Sequence, residues 1–564
     1  MNSIKKNNSF TNGSIKLVKP FIQKYKLYLI IYTICVLLSY PLESIVIPEV
    51  FSSFFGSLKN NSNTLSNDVF INFFKKIGFF MLIITISQSI TAKLDVFLVP
   101  EFNEMISNTF FEKILKHYEN NYTDLELGKI LTRVNGLPST LREVTTDLFN
   151  WVIPKLLTII IINYYFFKHD KTLGLISVGI LGLIFWNNFL SFKPCIDLSY
   201  KRYTNFEEKS ENLQDKLANL YSIYSAGNVN NEIEEFNQVT DKFKKFHRNS
   251  ILCTHRLKSS NGFLSSTILL VLSAYIIYMY KLNKIDKEKL TTLFMILIFY
   301  VPCLNTIITY LPDYTNHLGV IKSVDNFIDT IHQENLEKPP IIITNGTIEI
   351  KNLNFGYTKD KQLFNNFSLT INSGDKVGLI GPSGNGKSSL IKILMGYFSV
   401  PDNTVLIDGQ DINKFSLNSL RKQITYINQN TKLFNKTIFE NIKYGNNISN
   451  NDIMKVYKKY NLQRIFKNLS NGFETNVGVN GDSISGGQKQ IILLLRNYFK
   501  SNKICILDEP TSALDDETRK TVIKIITDIS KNSTLLIITH DMNNLELISR
   551  KIKLENGIII ADSD

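Results

Sequence analysis

The sequence predicts an all-α membrane domain of six spans with long helical extensions, followed by a soluble α/β domain. Two observations carry this prediction. The first part of the chain holds uncharged apolar stretches at 172–192, 259–280 and 290–312. Each reaches the roughly 20 residues that a helix needs to cross a hydrocarbon core about 30 Å thick. The last part alternates short apolar runs, such as "KVGLI" at 376–380 and "KICILD" at 503–508, with helical patterns, as α/β domains do.

The three remaining spans are less clean. The stretch 27–48 carries Glu43 and two prolines, 77–92 is short unless its helix continues into the flanks, and 148–167 contains Lys155. A charge within a span either sits near a helix end and snorkels, or faces a polar cavity inside the bundle. Connections after the first, third and fifth spans are short to moderate. Those after the second and fourth are long and read as helix, because spaced apolar residues are mixed with charges, as in "NLYSIYSAGNVNNEIEEF" at 219–236. A helix of about 30 residues reaches about 45 Å beyond the span. All long connections fall on the side that holds both termini. Scattered polar positions in the spans, Asn187, Asn305 and Thr306, suit packing between helices.

Composition narrows the function classes. The chain has 564 residues, 44% of them hydrophobic, and a formal net charge of +13. The lysines are dispersed among Asn and Ile without a compact basic block, so a solvated surface, not nucleic-acid binding, is the expected use. Five cysteines are widely spaced, with no CxxC and no paired histidines, so neither a disulfide framework nor a zinc site is expected. The polar, Lys-containing start does not read as a cleavable signal peptide.

Beyond Asp313 the spacing of Leu318, Ile321, Val324, Ile328 and Ile331 predicts an amphipathic connector helix, broken by Pro339 and Pro340. The expected organisation is a membrane domain at 1–320, a linker at 321–345 and the α/β domain at 346–564.

In that domain "GPSGNGKSS", 381–389, follows the strand 377–380 and precedes an apolar helix. This is the GxxxxGK[ST] loop in its required context. Gly381, Gly384 and Gly386, with Ser383 and Asn385 between them, let backbone N–H groups turn toward phosphate oxygens. Lys387 reaches the β- and γ-phosphates, Ser388 offers a hydroxyl to Mg²⁺, and Ser389 completes the helix start. "ICILDEP" sets Asp508 and Glu509 at the carboxyl end of an apolar strand, where ligands gather in an open α/β sheet. Asp508 suits the Mg²⁺ shell and Glu509 suits polarising an attacking water. The cofactors expected are ATP and Mg²⁺.

Together these motifs resemble the ATP-binding cassette (ABC) transporters, and the six-span half resembles the membrane domain of the exporter branch. The resemblance covers nearly the whole chain. "SISGGQ", 483–488, stands where the family has its LSGGQ signature, with Ile484 in place of Leu, so the resemblance implies that Ser485, Gly486, Gly487 and Gln488 hold the γ-phosphate of a partner's ATP. It also implies that Tyr357 in "NFGY" stacks on adenine and that Gln429 in "INQNTKLF" senses Mg²⁺ and the attacking water. The resemblance further implies that Asp515 in "SALDD" is the inter-domain aspartate and that His540 in "IITHD" contacts the γ-phosphate. Glu509, His540, Gln429 and Lys387 form the implied catalytic set, and Ser388, Gln429 and Asp508 the implied metal set. "ELGKILTRVNGLPSTLREV", 126–144, and 219–236 resemble exporter segments whose extensions end in short coupling helices.

One membrane half and one cassette make a half-transporter, which in this family must dimerise. Both sides of the shared site are present, so a homodimer in the lipid bilayer is expected, with a heterodimer as the alternative. The termini and the ATPase domain are expected on the cytoplasmic side. The expected function is ATP-driven export of a small-molecule or lipid-like amphipathic substrate by alternating access. The alternatives are a lipid floppase or flippase, an importer on an exporter-like fold, and an ATP-gated channel or regulatory membrane protein. Two departures stand out. "VGVNG", 477–481, places Val479 where exporters usually carry an acid, and Lys489 and Ile491 replace arginines after the signature. Both predict altered coupling with the ATP ligands intact.

Overall fold

The computed structural model describes residues 12–60, 67–119, 126–332, 338–358, 362–428, 431–512, 514–539 and 547–563. The chain forms two compact units: Met1–Leu115 with Leu125–Glu334, and Lys116–Asp124 with Asn335–Asp564.

The described residues of the first unit form helices joined by short turns. Its elements are α1 (Asn12–Lys24), α2 (Lys26–Pro41), α3 (Ile47–Asn60), α4 (Asn67–His117), α5 (Leu127–Asp147), α6 (Ile153–His169), α7 (Lys171–Ala218), α8 (Leu220–Ser225), α9 (Val229–Lys281) and α10 (Lys287–His332). Two π-helical turns, Leu42–Val46 and Leu148–Val152, carry α2 into α3 and α5 into α6 without a break. Among the described residues six helical stretches are long and apolar enough to cross a membrane: Lys26–Phe55, Asn67–His117, Leu127–His169, Lys171–Ala218, Val229–Lys281 and Lys287–Asp325. The chain is a multi-pass membrane protein. The short stretch 77–92 belongs to the 51-residue helix α4. The connector expected after Asp313 is the continuation of α10, which runs through Pro302 and Pro312.

The helix core gathers Ile159, Ile162, Phe166, Leu173, Ile268, Leu272, Ile276 and Leu297 around the buried Tyr300. The Tyr300 hydroxyl accepts from the Asn163 amide (3.2 Å) and pairs with the Ser177 hydroxyl (2.9 Å), so it is buried at no unsatisfied cost. Asn187 donates to Ser260 and Asn261 (both 2.8 Å), Asn305 accepts from Ser265 (3.0 Å), and Thr306 donates to the Pro302 carbonyl. These polar points fasten helices to one another or to their own backbone. Further along, Arg133 forks onto Glu207 (2.8 and 2.9 Å), which also accepts from Ser323 (3.2 Å), tying α5, α7 and α10 through a nearly fully buried carboxylate. Gly319 lets α10 pass close to α7, for a Cβ there would stand 2.5 Å from that of Ser199.

Cys195 on α7 and Cys253 on α9 form a disulfide, against the expectation of none. The antiparallel packing of these two long helices brings together cysteines that are 58 residues apart, a proximity that linear spacing does not encode. Cys35, Cys303 and Cys505 are free thiols.

The second unit is α/β. In order it contains β1 (Ile348–Phe355), β2 (Phe364–Ile371), β3 (Lys376–Ile380), α11 (Lys387–Leu394), β4 (Val405–Ile407), β5 (Gln410–Asp411), α12 (Leu417–Gln423), β6 (Ile424–Ile427), α13 (Ile438–Lys443), α14 (Asn450–Lys459), α15 (Gln463–Phe466), α16 (Gly486–Tyr498), β7 (Ile504–Asp508), α17 (Asp516–Ser530), β8 (Thr534–Ile538), β9 (Arg550–Glu555) and β10 (Ile558–Ser563). One sheet has the order β2-β1-β4-β5 and is antiparallel. The other has the order β10-β9-β3-β8-β7-β6, parallel except for the β9–β10 hairpin. Central strands buried on both faces explain the unbroken apolar runs. Ile504 and Ile506 join the core that contains α11, while Cys505 and Leu507 join the one that contains α16 and α17. This two-residue alternation is the strand period.

Candidate nucleotide site

The parallel strands β3, β8 and β7 are neighbours, so their carboxyl ends bring the 381–386 loop beside Asp508 and Glu509. The loop ends at Gly386, the N-cap of α11, with φ +97°, a conformation side chains rarely adopt. A Cβ there would also stand 2.8 Å from the Phe364 ring. Gly384 is likewise left-handed at φ +85°. The Lys387 side chain folds back over the loop and donates to the carbonyls of Gly381 (2.6 Å) and Pro382 (2.9 Å). Burial lowers its pKa from the ordinary lysine value, and the nearby Glu509 and Asp508 charges oppose that drop.

Ser388 donates to Asp508 at 3.2 Å. Asp508 is buried, and burial raises its pKa; the Glu509 charge adds to this, while Ser388 and Lys387 act the other way. A hydroxyl beside a carboxylate that is costly to ionise is an all-oxygen donor set suited to a hard cation such as Mg²⁺. Glu509 lies one residue past β7 at φ +48°, with its amide donating to the Ile538 carbonyl (2.9 Å).

A cleft of about 610 Å³ opens here, lined by Tyr357, Gln362, Ser383, Lys387, Ser388 and Glu509, among others. Gly384, Gly386 and Ser389 also line it. Tyr357 sits at the rim, 62% exposed, its hydroxyl on Ser389 (2.7 Å) and its ring edge-on to Phe355 and Phe398. An exposed ring at the mouth of a phosphate cleft can stack on a base. Gly381 and Asn385 complete the loop between β3 and α11. Gln429 and His540 lie outside the described residues.

The other expected residues are not in this cleft. Among the described residues none of Ser485, Gly486, Gly487, Gln488 and Asp515 lines it. Ser485 is the N-cap of α16 and forms a capping box with Gln488 (3.3 and 3.0 Å). Gln488 is buried, and its amide donates to the Ile465 carbonyl (2.9 Å), so its side chain builds the helix start. The amides of Gly486 and Gly487 open the same helix, where the partial positive charge gathers. Ile484 packs against the α16–α17 core, the anchor role expected for Leu. Asp515 caps α17 through Thr518 N–H (2.9 Å); that bond, with Thr518's side chain, lowers its pKa against burial. Sequence reasoning missed Arg496, which is buried against Asn441 (2.7 and 3.0 Å) and the rings of Tyr444 and Phe434 and pins α16 to α13.

A phosphate-binding loop between β3 and α11, followed by two acids at the end of β7, defines an ATPase domain, here joined to six membrane helices. The family model "ABC transporter" matches residues 364–512. Over 220 residues the chain is 39% identical to the mitochondrial iron-sulfur clusters transporter ATM1 of Candida albicans, covering 38% of this chain and 29% of that protein. Over 415 residues it is 26% identical to the ATP-dependent lipid A-core flippase of Photobacterium profundum, covering 69% and 70%. The solved structure of a bacterial Atm1-family ABC exporter with ATP bound superposes with a TM-score of 0.85 at 18% identity, over 97% of this chain and 96% of that one.

Residues 364–512 match the ABC transporter family, and six apolar helices fused to this ATP-hydrolysing cassette fit an exporter-type half-transporter.

Proposed function

We propose that two copies of this chain form an exporter whose ATP sites are shared between them, and that the cargo is an amphipathic or lipid-like molecule. The observation that carries the shared site is the split of the phosphate-binding groups. Lys387, Ser388, Ser389 and Glu509 line one cleft, and Ser485, Gly486 and Gly487 at the start of α16 are not among the residues that line it. Backbone amides at a helix N-terminus are an anion site. A γ-phosphate held in one chain's cleft would then be closed over by the other chain's α16.

In this reading Lys387 and the loop amides hold the phosphates, Tyr357 the adenine, and Ser388 with Asp508 the Mg²⁺, which supplies charge neutralisation. Glu509 accepts hydrogen bonding from the attacking water and orients it. Gln429 and His540 are proposed to complete the water and γ-phosphate contacts. Closure of the paired cassettes drives the spans from inward- to outward-facing access, and hydrolysis with product release resets them. The cassettes and both termini then face the cytoplasm, where ATP is.

Glu509→Gln is the test. It keeps the size and the fold while removing the carboxylate, and ATPase turnover should fall by about 10²–10⁴ with ATP binding retained. Transport into proteoliposomes that persists in this variant would overturn the pump reading. A lipid flippase is the second reading, favoured by the flippase relative; ATP-dependent movement of a labelled lipid between leaflets, lost in the same variant, would select it.

A further inference from the structure

Lys155 lies about 21 Å from the end of α6 at His169, at 1.5 Å per residue, so it falls within a span that covers a core about 30 Å thick. Among the described residues it has no ion-pair partner. Its ammonium stands over the Tyr40 ring, 4.3 Å from the centroid, and near the buried Cys303 thiol. A ring face and a thiol offset only part of the cost of an ammonium at that depth.

The surrounding groups form a cradle. The two π-helical turns, rare devices that concentrate at functional sites, both pack on α10. The second presents Trp151, whose ring stacks on Tyr310 of α10 (6.0 Å, 11°) and meets Tyr40 edge-on (6.5 Å). Trp151 is 39% exposed, and Lys155 is partly exposed beside it. The first turn carries Glu43, exposed and likewise without an ion pair among the described residues, and a carboxylate on that turn disfavours a ligand of high negative charge.

We propose that Lys155, Tyr40, Trp151 and Tyr310 form a binding site for an amphipathic organic anion of low charge, with its acidic group on Lys155 and its apolar body against the aromatic rings. The occupant's status as cargo rests on the exporter reading. The site itself does not, because it is read by binding without ATP.

The chain has two tryptophans, and Trp186 is 60% exposed on α7, so Trp186→Phe leaves Trp151 as the sole emitter. The full chain with that substitution, in phosphatidylcholine nanodiscs, is titrated with 1-pyrenebutyrate and with the uncharged 1-pyrenebutanol, following quenching of Trp151. Saturable quenching by the butyrate is expected. Lys155→Met should weaken butyrate binding by about tenfold or more, as for a lost charge-assisted contact, and leave the butanol unchanged. Lys155→Arg should restore the butyrate. Unchanged butyrate affinity in Lys155→Met, or an equal loss for both probes, overturns the site; retained butanol binding shows that the variant is folded.

Repeating the titration with phosphatidylglycerol in the nanodisc separates two sources of the anion. Displacement of the butyrate marks a bilayer lipid as occupant, and its persistence marks a soluble anion; both support the site. Glu509→Gln should leave these titrations unchanged, so failure of the pump reading and failure of this site are seen in different experiments.

Discussion

Asp408 shows how one carboxylate can organise a loop. Its two oxygens accept from the backbone N–H groups of Thr344, Asn345, Gly346 and Thr347 at 2.8–2.9 Å. Burial alone would raise its pKa, but the four backbone donors together outweigh burial and hold it below the ordinary carboxylate range. Asp408 and Gly409 are both left-handed, at φ +49° and +74°, in the tight turn between β4 and β5. Asparagine suits that turn equally well, so Asp408→Asn removes the charge and leaves the turn. The variant should lose about 2 kcal/mol of cassette stability at neutral pH, measured by denaturant unfolding. Because the folded pKa is depressed, this contribution is complete above the unfolded value of about 3.9 and fades as pH falls through the lower folded value. The gap between wild type and variant should therefore narrow below about pH 4; a gap independent of pH would show that the charge is not the cause. The residues of the phosphate loop were readable from the sequence because their chemistry is local. The role of Asp408 was not, because its donors lie some sixty positions away.

Among the elements, the long helices of the membrane unit are joined by buried polar contacts that the apolar spans conceal. Glu207 is the extreme case: a nearly fully buried carboxylate whose ion partner is Arg133. Removing one partner strands a buried charge, so Glu207→Ala should cost about 3–5 kcal/mol, read as a lower melting temperature in detergent. The double variant with Arg133→Ala should be less destabilised than the sum of the two single variants, because each alone forfeits the same contact. Additive losses would mean that the pair is not coupled. The α7–α9 pair carries a second, covalent test. Without reductant, denatured protein should show three alkylatable thiols, and all five cysteines should react after reduction, with Cys195 and Cys253 as the difference. Five reactive thiols before reduction would contradict the bond. Helical spans follow from runs of apolar residues, but which faces meet, and which Asn, Ser or Cys share an interface, depends on how the spans rotate and pack.

For the whole molecule the decisive question is whether one ATP is held by two chains. Lys387→Ala disables the phosphate loop and Gly487→Asp places a negative charge at the start of α16, and each variant alone should lack ATPase activity. Co-expressed, they should regain part of it if the site is shared, because a mixed dimer pairs the intact loop of one chain with the intact helix start of the other. No recovery would place both halves of the site within one chain. Coupling is tested at the same scale. Val479 lies 62% exposed in the loop before α16; Val479→Glu should raise stimulation of ATPase by cargo and leave basal turnover unchanged. Strong stimulation in wild type, lost on substitution, would reverse the assigned effect of Val479.

The sequence by itself determined the six spans, the cassette and the ATP-binding loop. These depend on apolar runs, two-residue strand alternation and glycines at set offsets from Lys387, all of which act between near neighbours in the chain. Only the tertiary structure decided that α10 carries the sixth span and its connector as one helix and that Cys195 meets Cys253. It also set Lys155 among Tyr40, Trp151 and Cys303, with Tyr310 stacked on Trp151. The disulfide, the Tyr40–Lys155 contact and the Trp151–Tyr310 stack join residues far apart in the chain, and they follow from helix rotation, π-helical offsets and close packing at sites such as Gly319, none of which leaves a periodic trace in the sequence.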